Sequence, residues 1–91
     1  MANTDTNGAR PPIVVYSGPL CSGCDEVKAY LAAHDLAYEE RNIRGNIETM
    51  IEFRRKGYDI LPVIEVGDQV ISEYESVAQV EAALLAAGYL S

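Results

Sequence analysis

The chain has 91 residues, enough for one small domain, and 48% of them are apolar, which suits a single modest core. Its formal charge is −7, with seven Lys and Arg against fourteen Asp and Glu. Such a balance argues against a nucleic-acid partner, which needs a basic stripe, and against an anionic membrane surface.

Residues 1–11 carry almost no apolar side chains and lack the apolar centre of a signal peptide, so they are expected to form a disordered tail. No apolar run approaches the ~20 residues that span a bilayer. The default expectation is a cytoplasmic monomer whose folded domain covers 12–91. The stretch PIVVYS, 12–17, is a β-branched and aromatic run and is predicted as a buried strand. Ser17, Gly18 and Pro19 break it. From Cys21 or Ser22 the spacing of Cys24, Val27 and Leu31 predicts a helix, closed by His34 and Asp35.

LAYEERN, 36–42, is predicted as a second strand, with Leu36, Ala37 and Tyr38 its most buried part. Asn46 is placed to cap a second helix. Ile47, Met50, Ile51 and Phe53 are expected on its apolar face, and Gly57 ends it. Glu48 in the first turn and Arg54, Arg55 and Lys56 in the last complement the helix dipole, which explains the basic run without an anion site. LPVIEVGDQVIS, 61–72, reads as a hairpin turning at Gly67-Asp68. Ser76 and Gln79 have capping-box spacing before a third helix, whose stripe is Val77, Val80, Leu84 and Ala87 and whose stop is Gly88. The order β-α-β-α-β-β-α predicts an α/β fold, a four-stranded mixed sheet flanked by three helices.

The only two cysteines are Cys21 and Cys24. A bridge between them closes too short a loop to add much stability. Zinc needs four ligands, and the chain offers no third cysteine and one histidine, His34, so no metal site is expected within one chain. What suits the pair is thiol–disulfide exchange. A cysteine at a helix N-terminus meets free N–H groups and the positive dipole end, which favour the attacking thiolate. Cys21 takes the role of nucleophile. Cys24, on the apolar stripe of its helix, takes the role of resolver. Asp25 and Glu26 oppose a thiolate, and Lys28 offers it a counter-charge.

VVYSGPLCSGCDEVKAYL, AYEERNI and LPVIEVGDQVI together resemble the glutaredoxin-like small redoxins of the thioredoxin superfamily. The resemblance implies a thioredoxin-like fold and a cis Leu61-Pro62 bond facing the cysteines. It also implies that the Leu61 backbone pairs with the substrate, and that Tyr16 lies near the active site. Tyr74 stands where an aromatic is common, and Glu75 where an acidic contact to glutathione is expected. Many members carry a lysine before the first cysteine, at the position of Gly18, to hold a glutathione carboxylate. Glu73 replaces an expected glycine and adds negative charge. No tightly bound cofactor is implied. The implied electron donor is glutathione or thioredoxin reductase, and the implied substrate is a disulfide-containing protein or a glutathione mixed disulfide. Two alternatives remain open here: a binding or regulatory module with little turnover, and a carrier of metal or a cluster at a site shared between chains.

Overall fold

The computed structural model describes residues 10–90. Seven elements follow in the expected order: β1 (Ile13–Ser17), α1 (Ser22–Ala33), β2 (Glu39–Asn42), α2 (Ile47–Arg55), β3 (Val63–Val66), β4 (Gln69–Ile71) and α3 (Val77–Ala86). The strands lie in the order β2-β1-β3-β4. β1 runs parallel to β2, with Val14 opposite Glu39, and antiparallel to β3, with Val15 opposite Ile64. The hairpin of β3 and β4 completes a mixed sheet.

Every residue of β1 is buried, because the strand is central and covered on both faces. Its continuous apolar run follows from that position. Ile13 and Val15, with Ile64 and Val66 of β3, face Val27 and Leu31 of α1 and Val80 and Leu84 of α3. Val14, Tyr16 and Val63 face the other way, where Phe53 of α2 closes a smaller cluster. Each fully buried aliphatic side chain contributes about 1.5–3 kcal/mol, so the first face carries most of the stability.

The caps match the sequence. The Asn46 side chain accepts the Thr49 N–H at 3.1 Å, and Ser76 and Gln79 form a complete capping box. The hairpin turns at Gly67, whose φ of +59° suits glycine. A Cβ there would also strike Pro11 at 2.6 Å. Most of the expected tail, 1–9, lies outside the described residues. Arg10 and Pro11 pack on the domain: the Arg10 Nε donates to the Gly88 carbonyl at 2.6 Å, and the Tyr89 hydroxyl donates to the Pro11 carbonyl.

Two expectations are corrected. The second strand begins at Glu39, not Leu36. Leu36 is taken by the end of α1, where Asp35 adopts φ +55° and the N–H groups of Asp35 and Leu36 bond back to the carbonyls of Ala32 and Leu31. This is a Schellman closure, and it leaves Leu36 and Tyr38 to cover the core edge as a connection. β2 itself is an edge strand with mostly exposed side chains. In α2, Ile47 is 75% and Ile51 47% exposed, and Phe53 is the buried residue. The less exposed side chains are Thr49, Met50, Glu52 and Phe53, so Met50 and Phe53 keep their expected side while Glu52 and the exposed Lys56 reach the Tyr16 hydroxyl, and this helix meets the sheet through polar partners as well as one ring.

Candidate active site

β1 delivers the chain through Gly18, Pro19 and Leu20 to Cys21, the N-cap of α1. Leu20 is fully exposed and holds φ +54°, a conformation that non-glycine residues adopt rarely. Cys21 and Cys24 form a disulfide, with Cα atoms 5.2 Å apart. The Cys21 Sγ occupies the place of a capping oxygen and accepts the Cys24 N–H at 3.1 Å. Cys21 is half-buried, whereas Cys24 is 1% exposed on the stripe of Val27 and Leu31. One sulfur is therefore available to a partner, and the other is sheltered.

The disulfide borders an open groove of about 690 Å³. Leu61, Pro62 and Tyr74 form its opposite wall, and the Leu61-Pro62 bond is cis, as the resemblance implied. Gly23 permits the closure. A Cβ there would sit 3.1 Å from the Pro62 ring and 3.2 Å from the Tyr74 ring. The Tyr74 hydroxyl donates to Glu26 at 2.5 Å and ties the β4–α3 connection to α1. Burial and that bond push the Tyr74 phenol up to about 12. At Gly18, the family's lysine position, a Cβ would meet the Leu61 side chain at 2.6 Å. The space is filled by Leu61.

The groove thus brings together Cys21, Leu61, Pro62, Tyr74 and Glu75. Tyr16 lies elsewhere, fully buried beneath α2. Its ring packs on Phe53 and Tyr58, with centroids 5.7 and 5.6 Å away. Its hydroxyl donates to Glu52 at 2.8 Å and accepts from Lys56 at 3.0 Å and Arg41 at 3.3 Å. Burial is the chief cause that raises the Tyr16 phenol. Lys28 does not serve the cysteines either. Its ammonium donates to Glu40 at 2.9 Å, and that bond raises it. Glu40 also accepts the Ser17 hydroxyl at 2.7 Å, and the two donors hold its carboxyl below the usual range.

Sequence reasoning missed the wall residues Leu20, Ile43 and Asp59, and it read Glu26 as a charge near the pair without placing it on a groove. Glu26, Asp59 and Glu75 are the three acidic residues on its lining, and among the described residues no Lys or Arg lines it. Glu26 lies two residues beyond Cys24 in the sequence. Asp59 had no signal, since only the fold brings the 58–61 loop beside Cys21. Among the described residues, no group of three or more His, Cys, Asp or Glu is placed to hold a metal ion, and no helix is long and apolar enough to cross a membrane.

The family model for glutaredoxin matches residues 13–71, from the start of β1 to the end of β4, and so includes both cysteines and Pro62. The chain belongs to the glutaredoxin family. As a glutaredoxin-family domain with its cysteine pair at a helix N-terminus, it is built for redox chemistry. The NrdH-redoxin of Escherichia coli, described as a glutaredoxin-like protein with a thioredoxin-like activity profile, superposes with TM-score 0.63 at 25% identity, over 70% of this chain and 84% of that one. The solution structure of a glutaredoxin from Brucella melitensis shares the fold, with TM-score 0.64 at 24% identity over 92% and 98% of the two chains. The global transcriptional regulator Spx of Staphylococcus aureus is 36% identical over 61 residues, which cover 66% of this chain and 44% of Spx. The chain therefore spans less than half the length of the curated relatives it matches.

Proposed function

We propose that this glutaredoxin-family domain is a dithiol–disulfide oxidoreductase. In its reduced form the Cys21 thiolate attacks one sulfur of a substrate disulfide. A mixed disulfide forms, and the displaced thiolate takes a proton. The Cys24 thiol then loses its proton and attacks the Cys21 sulfur. The Cys21–Cys24 disulfide forms, and the substrate leaves with its second thiol. Two electrons pass from the domain to the substrate. The observation that carries this reading is the pair itself, capping α1 with Cys21 beside the groove and Cys24 sheltered. Leu61 and Pro62 offer backbone to the bound segment, and Tyr74 fixes the wall.

Substrates are protein disulfides or glutathione mixed disulfides, and no tightly bound cofactor is needed. Of the two candidate donors, thioredoxin reductase is favoured over glutathione. Gly18 supplies no cation, and Glu26, Asp59 and Glu75 face an anionic tripeptide with like charge. The domain works as a monomer in the cytoplasm, where NADPH-fed reductases keep thiols reduced. Reduction of the oxidised protein by NADPH with thioredoxin reductase, run beside glutathione with glutathione reductase, tests the reading. Fast thiol release in the first arm supports it. Reduction by glutathione alone overturns the donor assignment.

A second reading has support from the curated relatives, which are transcriptional regulators. In it the cysteine pair is a sensor that toggles without sustained turnover. Failure of both donors to reduce a demonstrated Cys21–Cys24 disulfide favours that reading.

A further inference from the structure

The groove beside Cys21 carries a charge pattern that the exchange chemistry does not require. Glu26 comes from α1, Asp59 from the loop before β3 and Glu75 from the loop before α3. Three separate segments thus each place an exposed acidic residue on the lining of the groove that Cys21 borders. None of the three has an ion-pair partner among the described residues, a state they share with Asp35, Glu48, Asp68, Glu73 and Glu81, so it is their place on the groove that sets them apart. Carboxylates here also oppose formation of the thiolate that the domain needs. Apolar surface adjoins them. Leu20 is fully exposed immediately before Cys21, and Ile60, between Asp59 and Leu61, is 63% exposed.

We infer that the physiological substrate is a protein segment whose disulfide cysteine is flanked by Lys or Arg, with an apolar side chain that packs on Leu20. The inference rests on the oxidoreductase reading and adds the substrate class. An incoming cation offsets the charge of Glu26, Asp59 and Glu75, so the like-charge penalty on the Cys21 thiolate falls as the correct substrate docks. An acidic segment meets repulsion at the same three positions, which gives selection against wrong partners as well as for right ones. The exchange is the one already written: the substrate disulfide gains two electrons, and Cys21 and Cys24 lose two.

The test is stopped-flow oxidation of the fully reduced protein by two short disulfide peptides that differ only in Lys or Glu beside the cysteines. Neutral hydroxyethyl disulfide is the reference. The Lys peptide is expected to react about tenfold faster than the Glu peptide at low ionic strength, and the gap is expected to shrink several-fold at ~0.5 M salt. The gap is also expected to fall below about twofold in the Asp59→Asn/Glu75→Gln variant, which keeps Glu26 and its bond to Tyr74. Equal rates for the two peptides, with the neutral disulfide reacting, overturn the substrate class and leave the oxidoreductase reading standing. No reaction with the neutral disulfide removes that reading, and the substrate class falls with it. A gap that survives in the variant assigns the preference to other residues and overturns the role given to these carboxylates.

Discussion

The carboxylates under α2 and those around the groove stand in opposite conditions. Beneath α2, Glu52 accepts from the Tyr16 hydroxyl at 2.8 Å and from Arg41 at 2.5 Å, and it pairs with Lys56 at 3.4 Å. Glu65 accepts from Lys56 at 2.9 Å and from the Tyr58 hydroxyl at 2.6 Å. Burial and that bond push the Tyr58 phenol up to about 12. At the groove, Glu26, Asp59 and Glu75 have no cation among the described residues within ion-pair distance. The same residue types therefore serve two ends. One set closes a small core whose only buried α2 side chain is Phe53. In the other, Glu26 holds the Tyr74 hydroxyl, and Asp59 and Glu75 are left to whatever enters the groove. A net charge read from the sequence is blind to this division.

The contrast is open to attack from the fold side first. Phe53→Ala removes the ring that Tyr16 and Tyr58 pack on, and about 3 kcal/mol or more of stability is expected to go, read from urea unfolding. Tyr16→Phe keeps the ring and deletes the hydroxyl that Glu52, Lys56 and Arg41 share. A loss of about 1–2 kcal/mol is expected, with the disulfide-exchange rate within about twofold of the parent. A large fall in that rate at unchanged stability would return Tyr16 to the active site.

The acid limb gives a smaller effect. The Tyr16 hydroxyl is the first cause, ahead of Arg41 and Lys56, that holds the Glu52 carboxyl below its ordinary value. A depressed carboxyl contributes stability that is fully present above its unfolded pKa, near ~4.3, and is lost as pH falls through the lower folded value. Glu52→Gln is expected to lower stability by about 1 kcal/mol at pH 7 and by less at pH 3, measured by urea unfolding at both. Smallest of all, Asp59→Asn/Glu75→Gln is expected to leave stability within about 0.5 kcal/mol of the parent, since neither carboxylate holds an ion pair. A loss above 1 kcal/mol would give these groove acids a structural role and erase the contrast.

The fold was largely legible because its signals are local. The β1 run, the Asn46 and Ser76 caps, the Gly67-Asp68 turn and the spacing of Cys24, Val27 and Leu31 each rest on neighbours in sequence. What escaped was set by tertiary contact. Leu36 reads as strand by composition, but the Asp35 closure of α1 claims its N–H. Ile47 and Ile51 read as core, yet α2 turns Glu52 and Phe53 inward because Tyr16 needs a polar partner for its hydroxyl. The cysteines were legible from spacing, and Pro62, Tyr74 and Glu75 from resemblance. Asp59 was illegible because its place in the groove depends on how the 58–61 loop folds against α1.

The central claim is that Cys21 attacks and Cys24 resolves. It is tested most directly by mixing Cys24→Ser and Cys21→Ser proteins separately with a disulfide peptide and weighing the products by intact mass spectrometry. A stable mixed disulfide on Cys21 in the Cys24→Ser protein, with none formed by Cys21→Ser, is the expected result. A mixed disulfide on Cys24 in the Cys21→Ser protein, or an adduct on neither protein, would contradict it.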